Sequence, residues 1–272
     1  MTASDFTEIE ALAFELASLA GAQIESSLGR TLAVRYKKLS EDEAAVFKDP
    51  VSEVDHAVEV LLRARLADKF PDHAIIGEEV QETAGTAGFT WVIDPVDGTA
   101  NFINGFPLFA ASIGVVFEGR PVVGAVWCST SHALRSGVYH AREGGPLYFE
   151  ESRIETVDRG HVRRRLVGLP HVLPAGSSAH EGRQTGSSAV ECAFVAAGLL
   201  AGARFEAPNI WDVAGGIPLV QAMKGDVMTR ESRDGAWARF SSFATDSGRG
   251  GIGRWKQGLT LGEPGTVAAL TG

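Results

Sequence analysis

The stretch from Trp91 to Phe102, WVIDPVDGTANF, carries an apolar run that stops abruptly at two carboxylates, Asp94 and Asp97. An apolar run ending in acids reads as a buried strand whose end opens into a site. Pro95 fixes φ and is expected to turn the backbone out of the strand at once. Asp94 and Asp97 can then face one point, with the Val96 carbonyl between them. Oxygen ligands of this kind suit hard cations such as Mg²⁺. Gly98 lets backbone N–H groups approach an anion, and Thr99 adds a hydroxyl. The same residues also fit an ordinary Asp-Pro-x-Asp-Gly turn, so a metal site needs further acids.

Further acids arrive from elements that end or begin in the same way. Ala74-Ile75-Ile76-Gly77 is a short apolar run delivering Glu78 and Glu79. Pro50-Val51-Ser52-Glu53-Val54-Asp55 places Asp55 in the first turn of a predicted helix. There a dipole-complementing role competes with a chemical one. Asp212 follows Trp211 at the start of another predicted helix. Together Asp55, Glu78, Glu79, Asp94, Asp97 and Asp212 can coordinate two or three Mg²⁺ ions, the arrangement that clamps both oxygens of a phosphoryl transfer. The seven histidines are scattered, so zinc is a poor fit. Neither a Gly-x-x-x-x-Gly-Lys loop nor a Gly-x-Ser-x-Gly elbow occurs.

Composition narrows the class. The chain has 272 residues, 44% hydrophobic and 22% charged, with a net charge of −9. That is a globular chain with ample core material, and its acidity argues against a broad nucleic-acid surface. The two cysteines, Cys128 and Cys192, sit in apolar surroundings and read as core residues. No signal-peptide pattern or membrane-length apolar run is evident, so the expectation is a cytoplasmic protein.

The elements that must position the acids can be read from periodicity. Phe6–Leu28 predicts an amphipathic helix, and Val54, Val58, Leu61, Leu62 and Leu66 give one face of a second, ending near Phe70. Residues 35–49 read as a charged loop or a short element. Phe109–Phe117, Pro121–Trp127, Gly137–Ala141 and Leu147–Phe149 predict an antiparallel meander with Gly-containing turns. Past residues 150–155 the pattern changes to alternating strands and helices. Leu166–Leu169 is a short strand, 170–187 a mobile loop, Ser188–Ala201 an apolar helix, Ala203–Ala207 a strand, and Trp211–Met223 a helix with Asn209 as its cap. The expected halves are residues 1–152 and 153–272. Gly186-Ser187-Ser188 fits a plain helix cap or the polar lip of a substrate pocket.

Four segments now carry a resemblance: Pro50–Asp55, Ile76–Glu79, Asp94-Pro95-Val96-Asp97-Gly98-Thr99, and Trp211-Asp212-Val213-Ala214-Gly215. Their order and spacing resemble the inositol monophosphatase family over roughly residues 10 to 230. The resemblance implies a layered α/β fold, an αβαβα sandwich with an N-terminal antiparallel-sheet half and a C-terminal mixed or parallel half. It implies a lithium-sensitive, Mg²⁺-dependent phosphatase that is a homodimer. In that pattern Glu78, Asp94 and the Val96 carbonyl hold one metal, Asp94, Asp97 and Asp212 hold another, and Glu78 helps with a third. Thr99 and Asp55 direct a water, and the N–H groups of Gly98 and Thr99 hold phosphate oxygens. Arg183, Gly186, Ser187, Ser188 and Glu206 line the substrate end, although Glu206 stands one residue nearer Trp211 than the pattern has it. A carboxylate there can meet polyol hydroxyls or an ammonium group.

A lysine near the start faces phosphate in the pattern, and Lys48 is its candidate equivalent. Gln221–Gly225 and Arg233–Trp237 depart from the family pattern. The expected substrate is a small polyol phosphate, myo-inositol 1-phosphate first. Histidinol phosphate, fructose 1,6-bisphosphate and 3′-phosphonucleotides are the alternatives. A non-catalytic scaffold that binds a protein partner is the reading of a different class.

Overall fold

The computed structural model describes residues 3–29, 34–36, 50–155, 161–171, 180–243 and 251–272. Lys48 and most of the charged 35–49 stretch lie outside the described residues. Helix α1 (Ala3–Ser27) is followed by a small antiparallel pair, β1 (Val34–Tyr36) and β2 (Pro50–Ser52). Ser52 ends β2 and caps helix α2 (Glu53–Lys69).

A seven-stranded sheet comes next: β3 (Ala74–Gly77), β4 (Phe89–Asp97), β5 (Ala110–Phe117), β6 (Arg120–Cys128), β7 (Gly137–Arg142), β8 (Tyr148–Phe149) and β9 (Ser152–Arg153), in sequence order. Only the β3–β4 pair is parallel; the rest is an antiparallel meander. Between β4 and β5 lies the five-residue helix α3 (Thr99–Ile103).

The second sheet has six strands in the order β11-β10-β12-β15-β13-β14. These are β10 (Arg165–Gly168), β11 (His180–Arg183), β12 (Gly202–Phe205), β13 (Asp226–Arg230), β14 (Ala238–Arg239) and β15 (Gly258–Gly262). β10 runs parallel to β11 and β12, and the other pairings are antiparallel. Helices α4 (Ser188–Ala196), α5 (Ile210–Ala214) and α6 (Gly216–Ala222) fill the space between the two sheets, and α7 (Pro264–Thr271) covers the outer face of the second.

The layers follow from which faces are apolar. Ile9, Leu12, Leu16 and Ile24 of α1 and Val58, Leu62 and Leu66 of α2 share one core with Trp91, Ile93, Ile113 and Val115 of the first sheet. Val92, Val126 and Tyr139, from the opposite face of that sheet, share the other core with Val190, Ile217, Val220, Leu259 and Leu261. The strands of the first sheet are therefore apolar on both faces, which is why they read as near-continuous runs. The result is the five-layer αβαβα arrangement expected from the sequence.

Three local expectations are corrected. β4 continues through Pro95 to Asp97 instead of ending there, because a register shift between Asp94 and Asp97 creates a bulge that asks no ladder bond of the proline. Within the 170–187 stretch, His180–Arg183 is a strand, stabilised by pairing with β10 that its own sequence does not advertise; residues 172–179 lie outside the described residues. The helix expected over Trp211–Met223 is two helices broken at Gly215. The break is a packing feature. A Cβ on Gly124 would sit 2.0 Å from the Gly215 carbonyl oxygen, and one on Gly114 would sit 2.6 Å from the Ala214 carbonyl carbon. Glycines on β5 and β6 let the helix junction press directly onto the sheet, which brings Asp212 over the end of β4.

Candidate active site

Carboxylate oxygens of Asp94, Asp97 and Asp212 lie within 4.8 Å of one another, a spacing that can hold a metal ion. Each acid reaches the cluster by a different route. Asp94 and Asp97 flank the β4 bulge. Asp212 is the third residue of α5, where its Oδ2 accepts the backbone N–H of Asn209 at 2.7 Å in a capping box. Asp55 occupies the equivalent place in α2, with its Oδ2 accepting from the Ser52 N–H at 3.0 Å and from the Ser52 hydroxyl. The capping role and a chemical role are thus not exclusive. The cap takes one carboxylate oxygen and aims the other.

For Asp55 that other oxygen, Oδ1, accepts a hydrogen bond from the Thr99 hydroxyl at 3.0 Å. The same hydroxyl lies 2.9 Å from the Val96 carbonyl oxygen. Gly98 sits between these groups with φ 86°, and a Cβ there would lie 3.1 Å from both the Leu108 carbonyl and the Ser187 Cβ. Only glycine satisfies both the positive φ and the close approach.

Asp97 Oδ2 accepts from the Ser187 hydroxyl and from the Ala189 N–H at 2.6 Å, at the N-terminus of α4. Ser187 also caps that helix, accepting from the Val190 N–H at 3.2 Å, and is buried. Its hydroxyl is therefore engaged by an acid of the cluster. Gly186 and Ser188 on either side remain accessible and line a cavity of about 340 Å³. That cavity runs from the Gly186–Ser188 turn to Glu206, with Leu169, Phe205 and Pro208 as its apolar wall. Arg183, at the end of β11, is exposed and pairs with Glu181 at 2.8 Å rather than lining the cavity.

Glu78 follows β3, half-buried, close enough for its charge to act on both Asp94 and Asp212. The loop that carries it is fixed by Glu59, a residue the sequence reading passed over. Glu59 is fully buried and accepts the Glu79 N–H at 2.7 Å, the Val80 N–H at 3.2 Å and Arg63 Nε at 2.7 Å. The signal was present, because Glu59 adjoins Val58 on the apolar face of α2 with Arg63 one turn on.

The electrostatics test whether these residues suit a cation. Burial, then the charges of Glu78, Asp97, Asp212 and Asp55, push the Asp94 carboxyl well above its ordinary value. Burial raises Asp97 to about 6 despite the Ser187 hydroxyl and the α4 N–H groups. Burial and then the Asp97 charge raise Asp212 to about 7. Like charges this close resist joint ionisation unless a cation joins them. Asp94 Oδ1 is buried with no hydrogen-bond partner among the described residues. A buried acceptor left in that state is costly, and a coordinated metal would satisfy it. The donor set, all oxygen, fits a hard divalent ion.

The profile of the inositol monophosphatase family matches residues 5–260. The chain belongs to the inositol monophosphatase family. Among its relatives, the inositol-1-monophosphatase of Rhizobium meliloti is 31% identical over 195 residues, covering 65% of this chain and 71% of that one. The fructose-1,6-bisphosphatase/inositol-1-monophosphatase of Aquifex aeolicus is 29% identical over 228 residues, covering 78% and 82%. The crystal structure of the extragenic suppressor protein suhB from Bartonella henselae has the same fold, with a TM-score of 0.76, 23% identity and 97% of each chain covered. Membership of this family makes the protein a phosphoric monoester hydrolase. No helix among the described residues is long and apolar enough to cross a membrane.

Proposed function

We propose that this inositol monophosphatase family member hydrolyses a small polyol phosphate, myo-inositol 1-phosphate first, using Mg²⁺ held by the acid cluster. The observation that carries the reading is the convergence of Asp94, Asp97 and Asp212 beside the Thr99–Asp55 pair, with Ser187, which bonds Asp97, lining a neighbouring cavity of about 340 Å³.

Glu78, Asp94 and the Val96 carbonyl are the proposed ligands of one ion; Asp94, Asp97 and Asp212 are those of a second, with Glu78 contributing to a third. Bound magnesium supplies Lewis acidity toward water and the phosphate oxygens. The chain's own residues do the rest. Thr99, whose hydroxyl is oriented by Asp55 Oδ1, accepts a proton from the attacking water and passes its own to Asp55. Burial raises the Asp55 carboxyl, while its hydrogen bonds to Ser52 and Thr99 oppose the shift, so the carboxylate is a stronger base than one in water. The backbone N–H groups of Gly98 and Thr99 hold the phosphate. The polyol then lies along Gly186 and Ser188 toward Glu206. The polar groups there and the apolar wall of Leu169, Phe205 and Pro208 orient the hydroxyls.

The test is phosphate release with Mg²⁺ from inositol 1-phosphate, fructose 1,6-bisphosphate, histidinol phosphate and a 3′-phosphonucleotide, run beside Asp97→Asn and with added Li⁺. Preference for inositol 1-phosphate that is lost in the variant supports the reading. Preference for another member of the panel keeps the chemistry and changes the substrate. Release from none of them, with Mg²⁺ still bound, favours a protein-binding scaffold. Fructose 1,6-bisphosphate is the second substrate to examine, because the Aquifex aeolicus relative is named for both activities. Sedimentation of the same preparation checks the homodimer expected of the family.

A further inference from the structure

Glu206, at the far end of the cavity, is not a bare carboxylate. Its Oε1 accepts from Arg204 Nη2 at 3.1 Å and its Oε2 from Arg230 Nη2 at 2.6 Å. Both arginines are pinned elsewhere. Arg204 Nη1 donates to the Leu270 carbonyl at 2.9 Å, and Arg230 Nη1 donates to the Arg233 carbonyl at 2.6 Å. One indole, Trp237, lies over both guanidinium groups, 5.5 Å from Arg204 and 4.7 Å from Arg230. The Arg230 side chain is only 9% exposed. Partial burial would raise the Glu206 carboxyl, but the charges and hydrogen bonds of the two arginines hold it below its ordinary value.

We propose that Arg204 and Arg230, fixed by Trp237, are specificity-determining residues that make this end of the cavity accept neutral hydroxyls and reject ammonium groups. The inference rests on the phosphatase reading and sharpens its substrate class. Its physical basis is a count of charge and of hydrogen-bonding capacity. Two guanidinium groups and one carboxylate leave an excess positive charge at the rim. Each Glu206 oxygen can still accept one further hydrogen bond, and Arg204, which lines the cavity, can still donate, while Arg230 adds its charge from behind Glu206. A hydroxyl can use both kinds of partner. An ammonium only donates, and it meets like charge. The other acid in the cavity wall offers no alternative counter-ion. Glu191 is buried and its Oε1 accepts from the Thr185 hydroxyl at 2.8 Å.

The experiment compares sorbitol 6-phosphate with glucamine 6-phosphate, which differ only in a terminal hydroxyl against a terminal ammonium. p-Nitrophenyl phosphate reports the chemistry without the polyol. The intact protein with Mg²⁺ is expected to favour the hydroxyl substrate in kcat/KM by at least about tenfold. Arg230→Met is expected to bring the two within about threefold of each other by improving the cationic substrate. Arg204→Met, at a more exposed position, keeps the test available should Arg230→Met fold poorly. A wild-type ratio near one, or a ratio unmoved in both variants, overturns the proposal. If p-nitrophenyl phosphate is cleaved and Asp97→Asn abolishes that cleavage, such a result defeats the specificity inference alone. If the wild type cleaves none of the three, or Asp97→Asn cleaves them equally well, the phosphatase reading fails and this inference falls with it.

Discussion

The two ends of the proposed site are both built on carboxylates, and they treat them in opposite ways. At one end Asp94, Asp97 and Asp212 crowd together, all raised in pKa by burial and Asp94 and Asp212 also by neighbouring acids, and Asp94 Oδ1 has no partner among the described residues. At the other end Glu206 has an arginine on each oxygen and an indole behind both. The first set is short of positive charge and the second has more than it needs. A carboxylate therefore says little about what a site binds until its compensation is known. Uncompensated acids select a cation, and over-compensated ones exclude it.

The largest expected effect removes one member of the crowded set. Asp97→Asn keeps the side-chain shape and an acceptor for Ser187 but deletes a charge. Loss of at least about 10³-fold in kcat/KM is expected, the scale of a lost transition-state charge partner. The metal-free variant should nonetheless melt no lower than the metal-free wild type, because a repelling charge has gone. Activity within tenfold of wild type would show that the cluster is not the chemical centre. Next in size, Thr99→Val should cost about 10²-fold in kcat, while Thr99→Ser recovers most of it. Equal loss in both would mean that a hydroxyl on Asp55 Oδ1 is not by itself sufficient.

A third test reads the contrast through pH. Asp97 near 6 and Asp212 near 7 lie above the ordinary carboxylate value. The folded metal-free protein therefore binds their protons more tightly than the unfolded chain does. Their contribution to stability is fully present below the unfolded value of about 4 and is lost as pH rises through 6 and 7. The metal-free melting temperature should fall by several degrees between about pH 5 and about pH 8. Added Mg²⁺ should raise it more at the higher pH, since ligands must be deprotonated to bind. A melting temperature that rises with pH over this window in the absence of metal would contradict the crowded-acid description.

Much of the crowded end was legible in the sequence, and little of the compensated end was. Asp94 and Asp97 follow a period-free apolar run, and Asp55 and Asp212 open helices behind cap residues; all four signals are local. The Gly215 break was not legible, because its cause is contact with Gly114 and Gly124 on another element. The strand at His180–Arg183 gains its order from β10. The later strands β13 and β15 and the helix after them went unassigned for a related reason. They are short, and their pairing joins residues such as Asp226 and Gly262 that lie far apart in the chain. The partners of Glu206 come from β12 and β13, and the indole over them from the loop carrying Trp237. A charged residue on a short strand gives no local hint that it will meet an opposite charge from two strands away. The departure from the family pattern at Arg233–Trp237 was visible, and the structure gives part of it a role, since Trp237 is the indole over both arginines.

The smallest expected effect concerns that indole. Cation–π contacts at partly exposed sites contribute about 0.5–1 kcal/mol each, and Trp237 makes two. Trp237→Ala should therefore destabilise the protein by about 1–2 kcal/mol, seen as a fall of a few degrees in melting temperature. Trp237→Phe keeps a ring face over the guanidinium groups and should lose less than half as much. The two variants also separate packing from charge. If the indole acts through the arginines, adding Glu206→Gln to Trp237→Ala should cost less than the sum of the single changes, because both loosen the same guanidinium groups. Strict additivity would mean that Trp237 packs beside the arginines without holding them. The compensated end would then owe its rigidity to the Leu270 and Arg233 carbonyls alone.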